Sequence, residues 1–239
     1  EAQVAEFLQL AVKVEVVKPS FNDVTMNVTL RGAQEYQLVY SEAKYIDQQI
    51  GYGYTHASYY DTYFMYWIDY DMDWGHNIIR EDVSGEYTLY EMMNYGQEWP
   101  MYVNLAPNTE YEFAILPVEE GREKSTYSFD DVKVFRFTTS ALVEATTPAE
   151  VILEGTTDYS TIKVAVTVPE TIVAAYSAWY DSEFVYSEAA FGSHVSSAWC
   201  KTDFSEGYTY ELSTTGLTTG KTKHLVLIVV DADGNYTLV

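Results

Sequence analysis

The sequence predicts an all-β fold of two tandem antiparallel β-sandwich domains, the first carrying a partly helical, aromatic-rich insertion. Apolar and polar residues alternate in short runs, a pattern typical of strands with one buried face. The run VTMNVTL, for example, places Val24, Met26, Val28 and Leu30 on the same face. Each half of the chain contains roughly seven such runs, which suits a sandwich.

An internal repeat is the second observation behind this prediction. The run IKVAVTV repeats the spacing of VTMNVTL 138 residues later, and the upstream aromatic residues Phe21 and Tyr159 match as well. Fixed-period similarity of this kind indicates two copies of one domain. We therefore expect domains at 1–143 and 144–239, joined through a Thr- and Ala-rich segment at 138–150.

The stretch LAPNTEYEF, residues 105–113, indicates how the first copy crosses between its sheets. A tyrosine near the start of the strand after such a crossing can hydrogen-bond the backbone of the crossing loop, forming a tyrosine corner. Pro107 and Asn108 suit the turn, and Tyr111 stands at the start of the following strand. We expect Leu105 and Tyr111 to point into the core; an ordinary loop with a core tyrosine is the alternative.

These residues resemble a known family. The spacing Leu105-x-Pro107-x-Thr109-x-Tyr111, with FRFTT closing the copy, is similar to a fibronectin type III-like domain, an immunoglobulin-like β-sandwich. The second copy departs from this pattern, because its turn TTGK lacks proline and either Lys223 or His224 stands where tyrosine is expected. The resemblance implies a fold and does not imply a ligand.

Tandem modules of this kind with aromatic-rich insertions resemble surface lipoproteins of Gram-negative gut bacteria. That resemblance implies export to the cell surface or periplasm and a non-catalytic role. The sequence itself shows no signal peptide and no apolar run of the ~18 residues that span a bilayer. Since it begins at Glu1 without methionine, a lipid anchor would belong to a removed N-terminal segment.

The first copy carries an expected insertion at about 45–102, which holds 16 of the chain's 38 Tyr, Phe and Trp residues. Within it Tyr60, Phe64, Ile68 and Met72 recur every four residues, which predicts one face of a helix. A shorter insertion is expected in the second copy at about 181–206, with Phe184, Phe191 and Trp199.

Two interpretations of the insertion aromatics remain open. The rings form either a small core over a sheet edge or an exposed platform for a glycan or another protein. Tyrosine and tryptophan offer rigid flat faces with a polar tip, which suits both kinds of ligand. The candidate ligand-binding residues, chosen for their expected loop positions, are Tyr52, Trp74, Tyr95 and Trp99.

The formal net charge of −23 excludes some partner classes. Nucleic acids and anionic membrane surfaces are bound through clustered Lys and Arg, so neither is expected as a partner. Cations are attracted instead, and the alternating Asp69, Asp71 and Asp73 before Gly75 are candidate calcium ligands. The alternative is a solvated helix end, since a continuing helix would spread the three carboxylates around its circumference. No other cofactor is expected.

No catalytic arrangement is recognisable. The four histidines lack the spacing of a zinc helix, and the sequence contains no GxSxG or phosphate-binding glycine loop. The single Cys200 is interpreted as a small core residue. The sequence thus predicts a non-catalytic binding or adhesion module of the cell surface or secreted space, with glycan as the slightly favoured ligand. The alternative is a structural spacer or protein–protein interaction module of a larger surface assembly.

Overall fold

In the computed structural model, the described residues form two compact units, Glu1–Ser140 and Ala141–Val239. The structure describes residues 10–53, 76–98, 100, 103, 105–123, 126–217 and 220–239. No helix among these residues is long and apolar enough to cross a membrane.

The first unit consists of two antiparallel sheets. The three-stranded sheet has the order β1-β2-β5 and the four-stranded sheet the order β4-β3-β6-β7. The strands are β1 (Ala11–Pro19), β2 (Val24–Arg31), β3 (Glu35–Glu42), β4 (His76–Ile79), β5 (Val83–Thr88), β6 (Glu110–Val118) and β7 (Lys133–Thr138).

The core of this unit lies between the two sheets. The alternating residues of β2 are buried as predicted, with Val24 and Met26 at 0% exposure. Across from them pack apolar side chains of the four-stranded sheet, among them Leu38, Phe113 and Ile115. Two facing sheets with alternating inward side chains make a β-sandwich, which confirms the predicted fold class.

The outer face of the four-stranded sheet is also covered. Helix α1 (Ala43–Gly51) follows β3 directly and buries Ile46 against Ala114 and Leu116. Tyr127 joins this outer cluster from the loop before β7. As a result β6 is buried on both faces. Its sequence EYEFAILPV therefore has a longer apolar run than a strand with one solvent-exposed face.

The second unit repeats the arrangement. Its sheets have the orders β13-β10-β9 and β12-β11-β14-β15-β8, the last pair being parallel. The strands are β8 (Val143–Glu144), β9 (Ile152–Thr157), β10 (Ile162–Thr167), β11 (Ile172–Tyr180), β12 (Trp199–Lys201), β13 (Thr209–Thr214), β14 (His224–Asp231) and β15 (Asn235–Leu238). Val164, Val166, Leu227 and Val229 are among the residues of its core.

The expected insertion boundaries need correction. Two strands of the first sandwich, β4 and β5, lie inside 45–102, together with the short helix α2 (Leu89–Met93). The alternation signal is weak there, because β4 has four residues and β5 buries only Val83. In the second unit the segment 181–206 contains helix α3 (Glu188–Ser197) and the edge strand β12. Similarly, part of the expected linker forms β8, which pairs with β15.

The tyrosine corner is present in the first unit. The backbone N–H of Ala106 donates to the Tyr111 hydroxyl over 2.8 Å, and Tyr111 is 4% exposed. Burial raises the pKa of this hydroxyl to about 12. The crossing loop is tied further by Thr139, whose hydroxyl donates to the Ala106 carbonyl over 2.6 Å. This bond joins the crossing loop to the end of β7.

Among the described residues of the second unit, no tyrosine stands at the start of β14 (His224–Asp231) to form such a corner. Leu225, Leu227 and Val229 of β14 face the second core, as Tyr111, Phe113 and Ile115 of β6 face the first. The expectation of Lys223 or His224 at the corner position stays a prediction.

Replacing Tyr111 by Phe should destabilise the first unit by about 1 kcal/mol or more, because the partly buried Ala106 N–H loses its acceptor. Tyr210 provides a matched control, since its buried hydroxyl has no hydrogen-bond partner among the described residues. Tyr210→Phe should leave stability unchanged or raise it. Denaturant unfolding followed by circular dichroism measures both; equal losses in the two variants would contradict this account of the corner.

Candidate functional site

Tyr52 is the more exposed of the two predicted ligand-binding residues that the structure describes, Tyr52 and Tyr95. It follows α1, and its side chain is 71% exposed. Its hydroxyl accepts a hydrogen bond from Gln48 Nε2 over 3.2 Å, which holds the ring against one turn of the helix. The ring therefore offers a largely free face at the start of the first insertion.

Tyr95 is less open than its expected loop position suggested. Its ring packs at the margin of the first core and meets Tyr87 edge to face, with the centroids 6.0 Å apart. The hydroxyl donates to Glu81 Oε1 over 3.0 Å, and this bond raises the pKa of Tyr95. No ring contact joins Tyr95 to Tyr52 in the described part of the chain, so the two residues do not form one platform there.

A buried amide fixes the loop that carries Tyr95. Asn77 is 3% exposed, and its Nδ2 donates to the carbonyls of Met92 over 2.8 Å and Tyr95 over 3.2 Å. Its Oδ1 accepts from the backbone N–H of Ile78 over 2.8 Å and from Gln97 Nε2. Strand β4 and the end of α2 are thus joined through one side chain.

The remaining predicted site residues lie outside the described residues. These are the ligand candidates Trp74 and Trp99, the calcium candidates Asp69, Asp71 and Asp73, and the helix expected over Tyr60–Met72. Their roles stay predictions. Elsewhere, in the ranges the structure does describe, no three His, Cys, Asp or Glu side chains group closely enough to hold a metal.

A second group of aromatic rings lies in the second unit, at the open edge between its two sheets. We call it the Trp199 surface, defined by Trp199, Phe204, Tyr208 and Tyr210. Trp199 on β12 lies 6.0 Å from Tyr210 on β13, centroid to centroid. Phe204 stacks on Tyr208 at 5.4 Å and meets Tyr210 edge to face at 6.3 Å.

The four rings differ in exposure. Phe204, Tyr208 and Tyr210 pack partly against the second core and close the gap between the sheets. Trp199 is the outermost ring, with 53% of its surface exposed. Lys201 places its ammonium 5.2 Å from the Phe204 ring and 5.6 Å from Tyr210. The surface therefore combines one half-exposed indole with a cation and the exposed polar residues of the 202–206 loop.

This surface was missed as a site in the sequence. Trp199 was noted only as part of the shorter insertion, and Tyr208 and Tyr210 lay beyond its expected end. The spacing Trp199, Phe204, Tyr208-x-Tyr210 was an available signal. This spacing is a weaker signal than the high density of aromatic residues in the first insertion, because it does not show that the four rings are close together. They meet only when the edges of two sheets lie side by side.

Helix α3 lies just before Trp199 and is fastened by a buried histidine. His194 is 0% exposed; its Nδ1 is 2.7 Å from the Tyr180 hydroxyl and its Nε2 is 3.1 Å from the Tyr176 carbonyl oxygen. A carbonyl oxygen only accepts hydrogen bonds, so Nε2 carries the hydrogen and Tyr180 donates to Nδ1. Burial lowers the pKa of His194 below its ordinary 6.5.

Comparisons with known proteins return structural likeness only. No protein-family model matches the chain, and no curated protein matches it. Among solved structures it is similar to the FN1–FN3 domains of chicken CNTN1, with 10% identity and a TM-score of 0.29 over 97% of this chain and 65% of that one. The central fibronectin-III array of RIM-binding protein gives 10% identity and a TM-score of 0.24 over 98% and 65%.

The chain spans slightly less than two thirds of the length of each of these arrays. The strand orders of the two units, with sheets of three and four strands in the first and of three and five in the second, are those of β-sandwiches.

Proposed function

We propose that the chain is a non-catalytic binding module that holds a glycan through aromatic rings on its insertions. The observation that carries the proposal is the Trp199 surface, where a half-exposed indole packs on Tyr210 and Tyr210 in turn contacts Phe204. Sugar C–H faces stack on such rings at little entropic cost, because the rings are already ordered.

The charge and the neighbouring groups favour an uncharged or weakly charged glycan. With a net charge of −23 the chain repels polyanions at a distance. Asp203 and Glu206 are exposed beside the rings and offer acceptors for sugar hydroxyls, while Lys201 offers a donor. The exposed Tyr52 makes the first insertion a second candidate contact.

Location at the outside of a bacterial cell is part of the same proposal. It is supported by the resemblance to surface lipoproteins. Calcium binding by Asp69, Asp71 and Asp73 is a separate element of the proposal. A comparison of glycan binding in calcium and in chelator tests it directly.

Replacing Trp199 by Ala should weaken glycan binding by about tenfold or more, which corresponds to about 1.4 kcal/mol. The measurement is binding of the labelled full chain to an array of host and plant glycans, in calcium and in chelator. Tyr159→Ala is the matched control, since Tyr159 lies in the same unit, is 93% exposed and is not part of the Trp199 surface. It should bind as the unchanged protein does.

Two outcomes would overturn the proposal. A blank array for the unchanged protein would favour the alternative of a spacer or protein-binding module. Equal binding by the Trp199→Ala and unchanged proteins would remove the Trp199 surface from the site, and Tyr52→Ala would then test the first insertion. Because Trp199 is half exposed, its variant should unfold near the unchanged midpoint, which circular dichroism checks.

A further inference from the structure

One buried side chain of helix α3, His194, joins the helix to β11. The two hydrogen bonds of His194 join it to β11, one to the Tyr176 carbonyl and one to the Tyr180 hydroxyl. Both bonds are made by the neutral ring, with hydrogen on Nε2 and a lone pair on Nδ1. A proton added to Nδ1 removes the acceptor that Tyr180 uses.

In the described ranges, His194 has no carboxylate partner that would stabilise a positive charge on its ring. The Phe184 ring meets it edge to face at 5.8 Å, and no carboxylate in the described ranges forms an ion pair with it. The titratable groups on the neighbouring strands are Tyr176 and Tyr180 on β11, Cys200 opposite Tyr176 on β12, and His224 opposite Tyr180 on β14. The charged groups nearby are the Asp181–Lys223 ion pair, Glu183 after β11, and Glu188 at the start of α3.

The direction of the pH effect follows from burial. The pKa of His194 in the docked helix is lower than 6.5, whereas a ring released into water returns to its ordinary value. The released state therefore binds the proton more readily. The docked state keeps its full advantage above pH 6.5 and loses it progressively as the pH falls below that value.

The end of α3 is continuous with the Trp199 surface. The Ala198 N–H donates to the His194 carbonyl over 2.8 Å, and Trp199 is the next residue and the first of β12. Phe191 in the same helix packs 4.5 Å from Tyr236 of β15. Release of α3 would therefore loosen the segment that positions Trp199.

We propose that α3 is a pH-sensitive latch, in which protonation of His194 releases the helix from β11 and disorders the Trp199 surface. The release of the helix stands on the geometry of His194 alone; its consequence for ligand binding rests on the proposed function. A module of this kind would hold its glycan at neutral pH and release it in mildly acidic surroundings.

Hydrogen exchange of the full chain, without ligand, tests the latch. After correction for the intrinsic effect of pH, amides of α3 and of 198–201 should exchange several times faster at about pH 5 than at about pH 7.5, while β10 and β14 stay protected. Equal corrected rates at the two pH values would overturn the proposal. Since no glycan is added, this result is independent of the array.

Two histidine variants sharpen the test. His194→Phe should remove the pH dependence of exchange in α3, whatever its effect on the absolute rate. His224→Gln is the matched control, because His224 is only half-buried on β14, and it should keep the full pH dependence. A pH dependence that survives in His194→Phe would assign the effect to another group and contradict the latch.

If His194→Phe does not fold, an imidazole titration of His194 by NMR replaces it, and a pKa at or above 6.5 contradicts the latch.

Discussion

Replacing Arg136 by Met should destabilise the first unit by about 3 kcal/mol. Its Nε donates to Glu112 over 2.7 Å, and the Glu112 side chain is 0% exposed. Asp47 of α1 takes a second bond from Nη2 over 2.9 Å. Removal of the guanidinium leaves a buried carboxylate without its cation, which is more unfavourable than the net contribution of the intact pair.

A double variant separates the unfavourable effect of the unpaired buried carboxylate from the net contribution of the intact ion pair. Glu112→Gln combined with Arg136→Met removes the buried charge together with its partner, so it should recover at least half of the loss. Denaturant midpoints of the single and double variants form the cycle. If Arg136→Met alone lost less than about 1 kcal/mol, the pair would behave as an exposed one. Because Arg136 is 35% exposed, we expect the loss at the lower end of the range for buried pairs.

Replacing Asn77 by Ala should also destabilise the first unit by about 3 kcal/mol, because one buried and three partly buried hydrogen bonds are lost at once. The Met92 and Tyr95 carbonyls lose the hydrogen bonds from Asn77 Nδ2, and the Ile78 N–H and Gln97 Nε2 lose the acceptor Asn77 Oδ1. The end of α2 should loosen with them, which hydrogen exchange over 89–97 reports.

Gln97→Ala is the control for Asn77. It removes one exposed partner of the amide and leaves the two carbonyl bonds in place, so it should lower stability by about 1 kcal/mol or less. Equal losses in the two variants would show that the bond between Gln97 and Asn77, and not the buried carbonyls, holds this loop.

The strands were predictable where burial follows a local pattern. Val24, Met26, Val28 and Leu30 alternate with polar residues, and alternation along a strand requires no knowledge of the rest of the fold. The corner at Tyr111 was equally local, because the turn residues and the tyrosine lie within seven positions of each other.

The helices and short strands depend on distant residues and could not be predicted the same way. Helix α3 contains a glycine and several serines, and its place depends on His194 meeting residues 14 and 18 positions earlier in the chain. Strand β4 is recognisable only by its pairing with β3. Intrinsic propensity is a weak guide where tertiary contacts decide.

The candidate site was predictable only in its chemistry. The density of aromatic residues made the first insertion a candidate binding surface, and this role stays a prediction, although Tyr52 is exposed. The sequence could not show that Tyr95 is tied to Glu81, since that bond joins two loops. Nor could it show that Trp199 meets Tyr210, because their contact requires the edges of two different sheets to lie side by side.

The central claim is glycan binding without catalysis, and one measurement addresses both parts. The full chain is incubated with a panel of soluble and insoluble polysaccharides, and retained protein and newly released reducing ends are quantified in the same samples. We predict saturable retention on one class of polysaccharide, weakened in Trp199→Ala and kept in Tyr159→Ala, with no release of reducing ends above the blank. Release of reducing ends, or retention on none of the panel, would contradict the account.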